Sequence, residues 1–418
     1  MFLQRLFSRE RFFKESELMN KMGFELNNDQ IYANYDLESW WKTQNKQVFE
    51  IGGGAGTGKT TCIMYFIQRI GLELDEVLFV SYMGKAVSQM IRNGLPARTI
   101  HSTCYTYEKE VSRDEKGHII FNANGKPRMH YVPKLREKLP KKPKLIVVDE
   151  GYTIPEANAK DLMSFGIPMV VLGDPNQLPP PFGKPYFLKE PDVILHQIMR
   201  QAEGNPIIYI AQRILNDEPL LEGVYGNSAI IRRANLTDYT LRNADVIITA
   251  TNRLRGEINQ LFRETFLQFT DLDIPHYGEK IICRRNNWSK YIKNHGEIYL
   301  TNGLSGFVDY VDKGSYNKKS MTIDFRPDFS TRAFHNLKID IPRLNAPLGK
   351  KSDDTWIPPD VDVFEYAYAL TAHSCQGSQW DNTCVLQERN YMNSEEDYKK
   401  LLYSSVTRAI NSMTFVLY

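Results

Sequence analysis

Five of the seven residues from Gly52 to Gly58, "GGGAGTG", are glycines, and Lys59-Thr60-Thr61 follows at once. Glycine weakens regular structure by about 0.5–1 kcal/mol per residue, so such a cluster marks a backbone that must take positive φ or let something approach closely. The spacing Gly53-x-x-x-x-Gly58-Lys59-Thr60 is that of a phosphate loop. Successive backbone N–H groups, from Gly54, Ala55, Gly56, Thr57 and Gly58 to Lys59, Thr60 and Thr61, are placed to cradle a polyphosphate. Lys59 would neutralise the β and γ oxygens, and the Thr60 hydroxyl would hold Mg²⁺. The flanks agree. Phe49 and Ile51 end an apolar strand, and Thr61 to Ile70 reads as a helix whose N-terminal dipole faces the anion. Strand, loop and helix in this order commit the region to an α/β fold and a nucleoside triphosphate site. No N-K-x-D sequence for reading guanine occurs, which favours ATP with Mg²⁺.

Further apolar strand candidates, "EVLFVSY", "KLIVVDE" and "MVVLGD", recur between helical stretches up to residue 200, as in a parallel sheet with both faces covered. With a lead-in segment this gives a first core over 1–104 and 141–199. Residues 105–140 interrupt it with a charged insert, in which two extended runs meet around Asn124-Gly125 as in a hairpin. A second α/β core, 200–284 and 363–418, opens with "NADVIITATNRLRGEINQLF" and closes with "YSSVTRAINSMTFVLY". Between its halves, residues 285–362 alternate short β-prone runs with Gly, Asn and Lys turns, as in a small barrel.

At 418 residues, two or more domains of about 150 residues each are expected. Lys plus Arg number 52 against 50 Asp plus Glu, so a net charge of +2 gives no global case for nucleic acid and leaves it to local patches. The five cysteines show no C-x-x-C spacing and no His cluster, which argues against zinc and a disulfide framework and makes a reducing cytoplasm the default. No apolar run approaches the ~18 residues that span a bilayer. The start, "MFLQRLFSRERFFKESEL", is basic and aromatic, but Glu10, Glu15 and Glu17 favour an amphipathic lead-in helix over a transit peptide.

Asp149 and Glu150 end a buried-type strand, where open α/β sheets hold their ligands. Asp149 would serve Mg²⁺, and Glu150 would take the proton from an attacking water. Gln177, in "GDPNQLPP", is placed to reach the γ-phosphate or its water, against the plain reading of a structural turn. Phosphoryl transfer needs cations beyond the lysine, and Arg200 in "HQIMRQ" and Arg408 in "SSVTRAI" are the candidates.

Taken in order, "GGAGTGKTT", "SYMGKAVSQMI", "ARTIHS", "VVDE", "GDPNQLPP", "HQIMRQ", "LTAHSCQGSQWD" and "YSSVTRAI" resemble the motifs of a superfamily 1B helicase of the RecD-like type, most nearly the phage Dda class, from about Gly23 to Tyr418. The resemblance implies two RecA-like parallel-sheet motor cores with ATP between them, a strand-separating hairpin inserted in the first, and an SH3-like barrel inserted in the second. It implies 5′→3′ translocation on single-stranded DNA and unwinding at duplex junctions, in replication or recombination. By the same resemblance, Gln30 reads adenine, Gly377 lies on the nucleotide side, and Arg200 and Arg408 are arginine fingers. Lys85, His101, Ser102, Thr371 and His373 fall in motifs that touch the DNA strand. Two departures stand out: Gly151-Tyr152 after the acidic pair, and Gln379 where Glu is commoner beside the ribose.

The expected partners are therefore single-stranded DNA and duplex junctions, with a single-strand-binding protein or replication protein as further candidates, in the cytoplasm, or the host's if phage-encoded. Phe121, Met129 and Tyr131 in the insert would meet the terminal base pair. Tyr131, Trp288 and Tyr291 are candidates for base stacking, against a role in local packing. The competing readings are a translocase that does not unwind and a nucleotide-controlled switch or assembly protein whose barrel binds a protein partner.

Overall fold

The computed structural model describes residues 26–418 apart from 114–116, 122–124, 128, 181–182, 200–203, 294–296, 329, 346–356, 359, 390–391 and 393. The expected lead-in helix over the first residues lies outside this range. Helix α1 (Asn28–Thr43) starts at a capping box in which Asn27 and Gln30 satisfy each other's backbone N–H groups. It leads into β1 (Val48–Gly53), the phosphate loop and α2 (Lys59–Arg69). Then follow β2 (Val77–Ser81), α3 (Gly84–Arg92), β3 (Ala97–Thr99) and the short α4 (Ile100–Cys104). A hairpin of β4 (Tyr105–Val111) and β5 (Met129–Leu135) leaves the core, and β6 (Leu145–Asp149), α5 (Glu156–Met163), β7 (Met169–Gly173) and β8 (Val193–Leu195) complete it.

These strands form a six-stranded sheet in the order β3-β2-β6-β7-β1-β8, with every pairing parallel. Its strands are apolar on both sides because both faces are covered. On β6, Leu145 and Val147 face one buried cluster while Ile146 and Val148 face another. The strand order sets β6, β7 and β1 side by side, so the acidic pair, the Asp174–Gln177 loop and the phosphate loop emerge together at one edge.

Helix α6 (Pro206–Leu215), β9 (Gly223–Tyr225), β10 (Ser228–Arg232), β11 (Val246–Thr249) and α7 (Asn252–Leu261) open the second α/β unit. The chain then departs through β12 (Lys280–Cys283), a separate hairpin of β13 (Asn287–Lys293) and β14 (Glu297–Leu300), β15 (Ser305–Asn317), β16 (Ser320–Pro327), β17 (Phe334–Asp340) and β18 (Phe364–Tyr366). It returns with β19 (Ala369–Thr371), β20 (Trp380–Leu386), α8 (Glu395–Val406) and β21 (Ala409–Leu417). The second sheet runs β19-β11-β20-β21-β10-β9, parallel except at its β10–β9 edge.

The inserted strands form a five-stranded antiparallel sheet, β17-β16-β15-β12-β18. It extends past the expected limits of 285–362 at both ends, taking in β12 and β18. The apolar run "KIIC" and the short "FEY" are buried like core strands, so composition could not show which sheet they join. One apolar cluster runs from Ile247, Ala369 and Cys384 of the second sheet, through Leu254 and Ile258 of α7, to Val308, Ile323 and Phe325 of the insert. Among the described residues no helix is long and apolar enough to cross a membrane.

Candidate active site and nucleic-acid interface

A cavity of about 910 Å³ lies between the two units, lined among others by the phosphate loop, Asp149, Glu150, Gln177, Gly377, Gln379 and Arg408. Lys59 Nζ donates to the carbonyls of Gly53 and Gly54, at 2.6 and 3.0 Å, so its charge sits inside the loop. Gln30 is fully buried behind it, donating from Nε2 to Thr57 O and Gly58 O (both 3.2 Å) and accepting from Asn27 N–H (3.0 Å). It braces the loop from the rear. Asp29 accepts from His196 N–H and Gln197 N–H, tying α1 to the "HQIMRQ" segment. Arg200 itself lies outside the described residues.

Glu150 takes a left-handed backbone, φ 54°, a conformation that costs a non-glycine residue of order 1–3 kcal/mol. Its surroundings hold it there. Thr153 donates to its carbonyl from N (3.0 Å) and Oγ1 (2.8 Å), and its own N–H donates to Asp149 Oδ1 (2.9 Å). Gly151 explains one sequence departure: a Cβ there would lie 2.3 Å from Val171 Cγ1 on β7. Burial raises the pKa of both carboxyls, partly offset for Glu150 by Arg408 and for Asp149 by the Glu150 N–H. A carboxylate made more basic in this way is a better proton acceptor near neutral pH.

Arg408, from the second unit, is buried, with Nε donating to Ser404 O (2.9 Å), Nη1 to Ser378 O (3.3 Å) and Nη2 to Thr407 Oγ1 (3.2 Å). With its amide nitrogen turned toward the carboxylate, Gln177 donates to Glu150 Oε2 (3.0 Å) and accepts from Arg408 Nη2 (3.2 Å). Glu150, Gln177 and Arg408 thus form one chain across the boundary between the units.

The sequence reading missed how fully α8 supplies that boundary. Lys400, Tyr403, Ser404 and Thr407 recur at helical spacing on one stripe of "KLLYSSVTR", a signal available in the sequence. Tyr403 donates from its hydroxyl to Asp174 Oδ2 (2.6 Å) and accepts from Ala55 N–H in the phosphate loop (3.0 Å). Lys400 Nζ donates to Tyr152 Oη (3.2 Å), which gives the other residue of the Gly151-Tyr152 departure a partner across the boundary. Gly377, at φ 66°, abuts Met83: a Cβ added there would lie 2.8 Å from Met83 Cβ.

The same turn appears once in each unit, after the first strand in each sheet's order. Thr99 caps Ser102 N–H (3.1 Å) after β3, and Thr371 caps Ser374 N–H (3.4 Å) after β19, so "TIHS" and "TAHS" present a His at equivalent places. Burial lowers the pKa of both His101 and His373. The His101 ring lies between Tyr82 and Tyr105, with centroids 5.3 and 5.8 Å away. The side chains of Lys85, Tyr131 and Trp288 lie outside what is described. Phe121, Met129 and Tyr291 are exposed, Phe121 by 58%.

Together these features define a protein with a phosphate-loop motif, two α/β cores and a candidate nucleotide site between them. A model described as an AAA domain matches residues 38–183, and one described as a UvrD-like helicase C-terminal domain matches 366–415. The ATP-dependent RecD2 DNA helicase of Deinococcus radiodurans is 23% identical, over 85% of this chain and 45% of that protein. An uncharacterized protein of Methanocaldococcus jannaschii is 20% identical, over 85% of this chain and 35% of its own length. The chain thus spans less than half of either curated relative. A structure of two coordinating Pif1 helicases at forked duplex DNA has a similar fold, with a TM-score of 0.50 and 16% identity over 94% of this chain and 92% of that one. In both units the chain thus resembles helicases of superfamily 1B.

Proposed function

We propose that the protein is an ATP-hydrolysing DNA helicase that moves 5′→3′ on single-stranded DNA and opens duplex ahead of it. The observation that carries this reading is the Glu150–Gln177–Arg408 chain, which joins a proton acceptor of one core to a cation of the other. ATP would lie with its phosphates on the loop, Lys59 and Arg408 taking up charge that develops in transfer, and Glu150 accepting the proton of the attacking water. Arg200 would add a second finger. Thr60 and Asp149 both line the cavity, and one hydroxyl with one carboxylate suits Mg²⁺, which completes its shell with phosphate oxygens and water. The ion, when bound, would neutralise charge shared between the β- and γ-phosphates. Gln30 would read adenine by exchanging the bonds it now makes to the loop, and Gln379 and Gly377 would lie along the ribose side.

The duplicated T-x-H-S turns, with Lys85, would grip successive DNA phosphates, one turn per core. We assign 26–104 and 141–199 to the first RecA-like core, 105–140 to the pin, 280–366 to an SH3-like barrel, and 200–279 and 367–418 to the second core. ATPase assays with and without single-stranded DNA, joined to unwinding of 5′-tailed and 3′-tailed duplexes, test the reading. DNA-stimulated turnover and opening of the 5′-tailed substrate are expected. Turnover indifferent to DNA would overturn it in favour of a nucleotide switch, and stimulated turnover without opening would leave a translocase.

A further inference from the structure

The residue after Gln177 is held almost wholly by the opposite core. Leu178 is fully buried; its N–H donates to Ser404 Oγ (2.8 Å), and its carbonyl accepts from Gln376 Nε2 (2.7 Å). The same Gln376 nitrogen donates to Pro179 O (3.1 Å). Residues 179 to 181 are all proline and carry no N–H, so the loop supplies few donors of its own for these carbonyls. Buried backbone groups must be paired, and here both partners come from across the boundary. Gln376 is 2% exposed, and among the described residues its Oε1 has no hydrogen-bond partner, so the contacts described use only its nitrogen.

We propose that Gln376, assisted by Ser404, is a positioning residue that latches the loop carrying Gln177, so that the Gln177 amide bridges Glu150 and Arg408 only when the cores are closed. This rests on the ATPase reading above. The latch makes hydrolysis conditional on closure without touching the nucleotide. When the cores part, Leu178 and Pro179 lose their donors, the loop relaxes, and Gln177 loses its register on Glu150.

The test uses the full chain with saturating single-stranded DNA. Gln376→Met keeps length and removes both donors; kcat is expected to fall about tenfold or more, while the ATP affinity, read by a fluorescent ATP analogue, changes by less than about threefold. A residue acting through Gln177 should add nothing once that side chain is gone. The double variant Gln376→Met/Gln177→Ala should therefore turn over as slowly as Gln177→Ala alone, whereas an equal further loss in the double variant would overturn the proposal. If Gln376→Met does not fold, Ser404 decides. Ser404→Ala should lower kcat at unchanged ATP affinity, Ser404→Thr should restore it, and normal turnover in folded Ser404→Ala would overturn the latch. A wild-type chain without ATPase activity would instead sink the underlying reading.

Discussion

Two residues on the same cavity separate binding from chemistry. Lys59→Ala should lose ATP affinity and turnover together, because the loop loses the cation that its carbonyls now hold. Glu150→Gln should keep ATP affinity and lose turnover, and equilibrium binding distinguishes the two; equal loss of binding would mean that Glu150 is not the base. Arg408→Ala should lower kcat by about 10³ with DNA binding retained, and near-normal turnover would return it to a packing role. Tyr403→Phe leaves Asp174 and the Ala55 N–H without the hydroxyl that joins them, so turnover is expected to slow by about tenfold, measured at saturating ATP. The loop, the acidic pair, Gln177 and Arg408 were legible because each carries its chemistry in a short local pattern. The partners of Tyr403 and Gln376 were not, because they lie 348 and 198 residues away and only the packed cores bring them together.

At the scale of elements, sheet membership was harder to read than sheet existence. Both parallel sheets followed from apolar runs bounded by helices, yet β12 and β18 were absorbed into the second core, because a fully buried strand carries no face pattern to say what it pairs with. The hairpin was signalled by two extended runs meeting around Asn124-Gly125, and β4 and β5 pair antiparallel. It is anchored at its base, where Tyr105 Oη donates to Asp161 Oδ2 (2.5 Å) and accepts from Asn158 Nδ2 (3.1 Å). Its pairing runs in register from Tyr105–Leu135 to Val111–Met129, with bridges at Arg113–Ile119 and Phe121–Pro127 beyond. A rigid base with apolar side chains exposed further out, Ile119, Phe121 and Met129, suits a wedge against a base pair. Replacing residues 119–132 by a short Gly-Ser linker spares the anchor, so DNA-stimulated ATPase and translocation should persist while opening of a tailed duplex collapses. Retained opening would exclude the wedge. Joint loss of ATPase would point to damage in the first core.

For the whole molecule, the apolar clusters show what moves with what. The insert shares one continuous cluster with a face of the second sheet, whereas the first sheet is packed within its own two clusters. Arg263 and Glu279 strengthen that union as a buried pair, with Arg263 also donating to Leu272 O and Ile274 O and lying over the Tyr366 ring. Between the two cores the described links are largely hydrogen bonds from Lys400, Tyr403, Ser404 and Gln376, which exchange with water more readily than an apolar core can be opened. On the proposed function, a nucleotide cycle would therefore swing the second core and the inserted sheet together against the first core and its hairpin, so that one body pulls the strand while the other bears the wedge. This partition can be tested by cutting into the shared cluster far from both ligands. Phe325→Ala, at a fully buried position of the inserted sheet, should cost about 3–5 kcal/mol. Hydrogen exchange should then quicken in β11, β19 and β20 of the second sheet as well as in β15 and β16, and leave β1, β6 and β7 protected as before. Faster exchange confined to the inserted sheet would show that it opens independently and cannot act as one body with the second core.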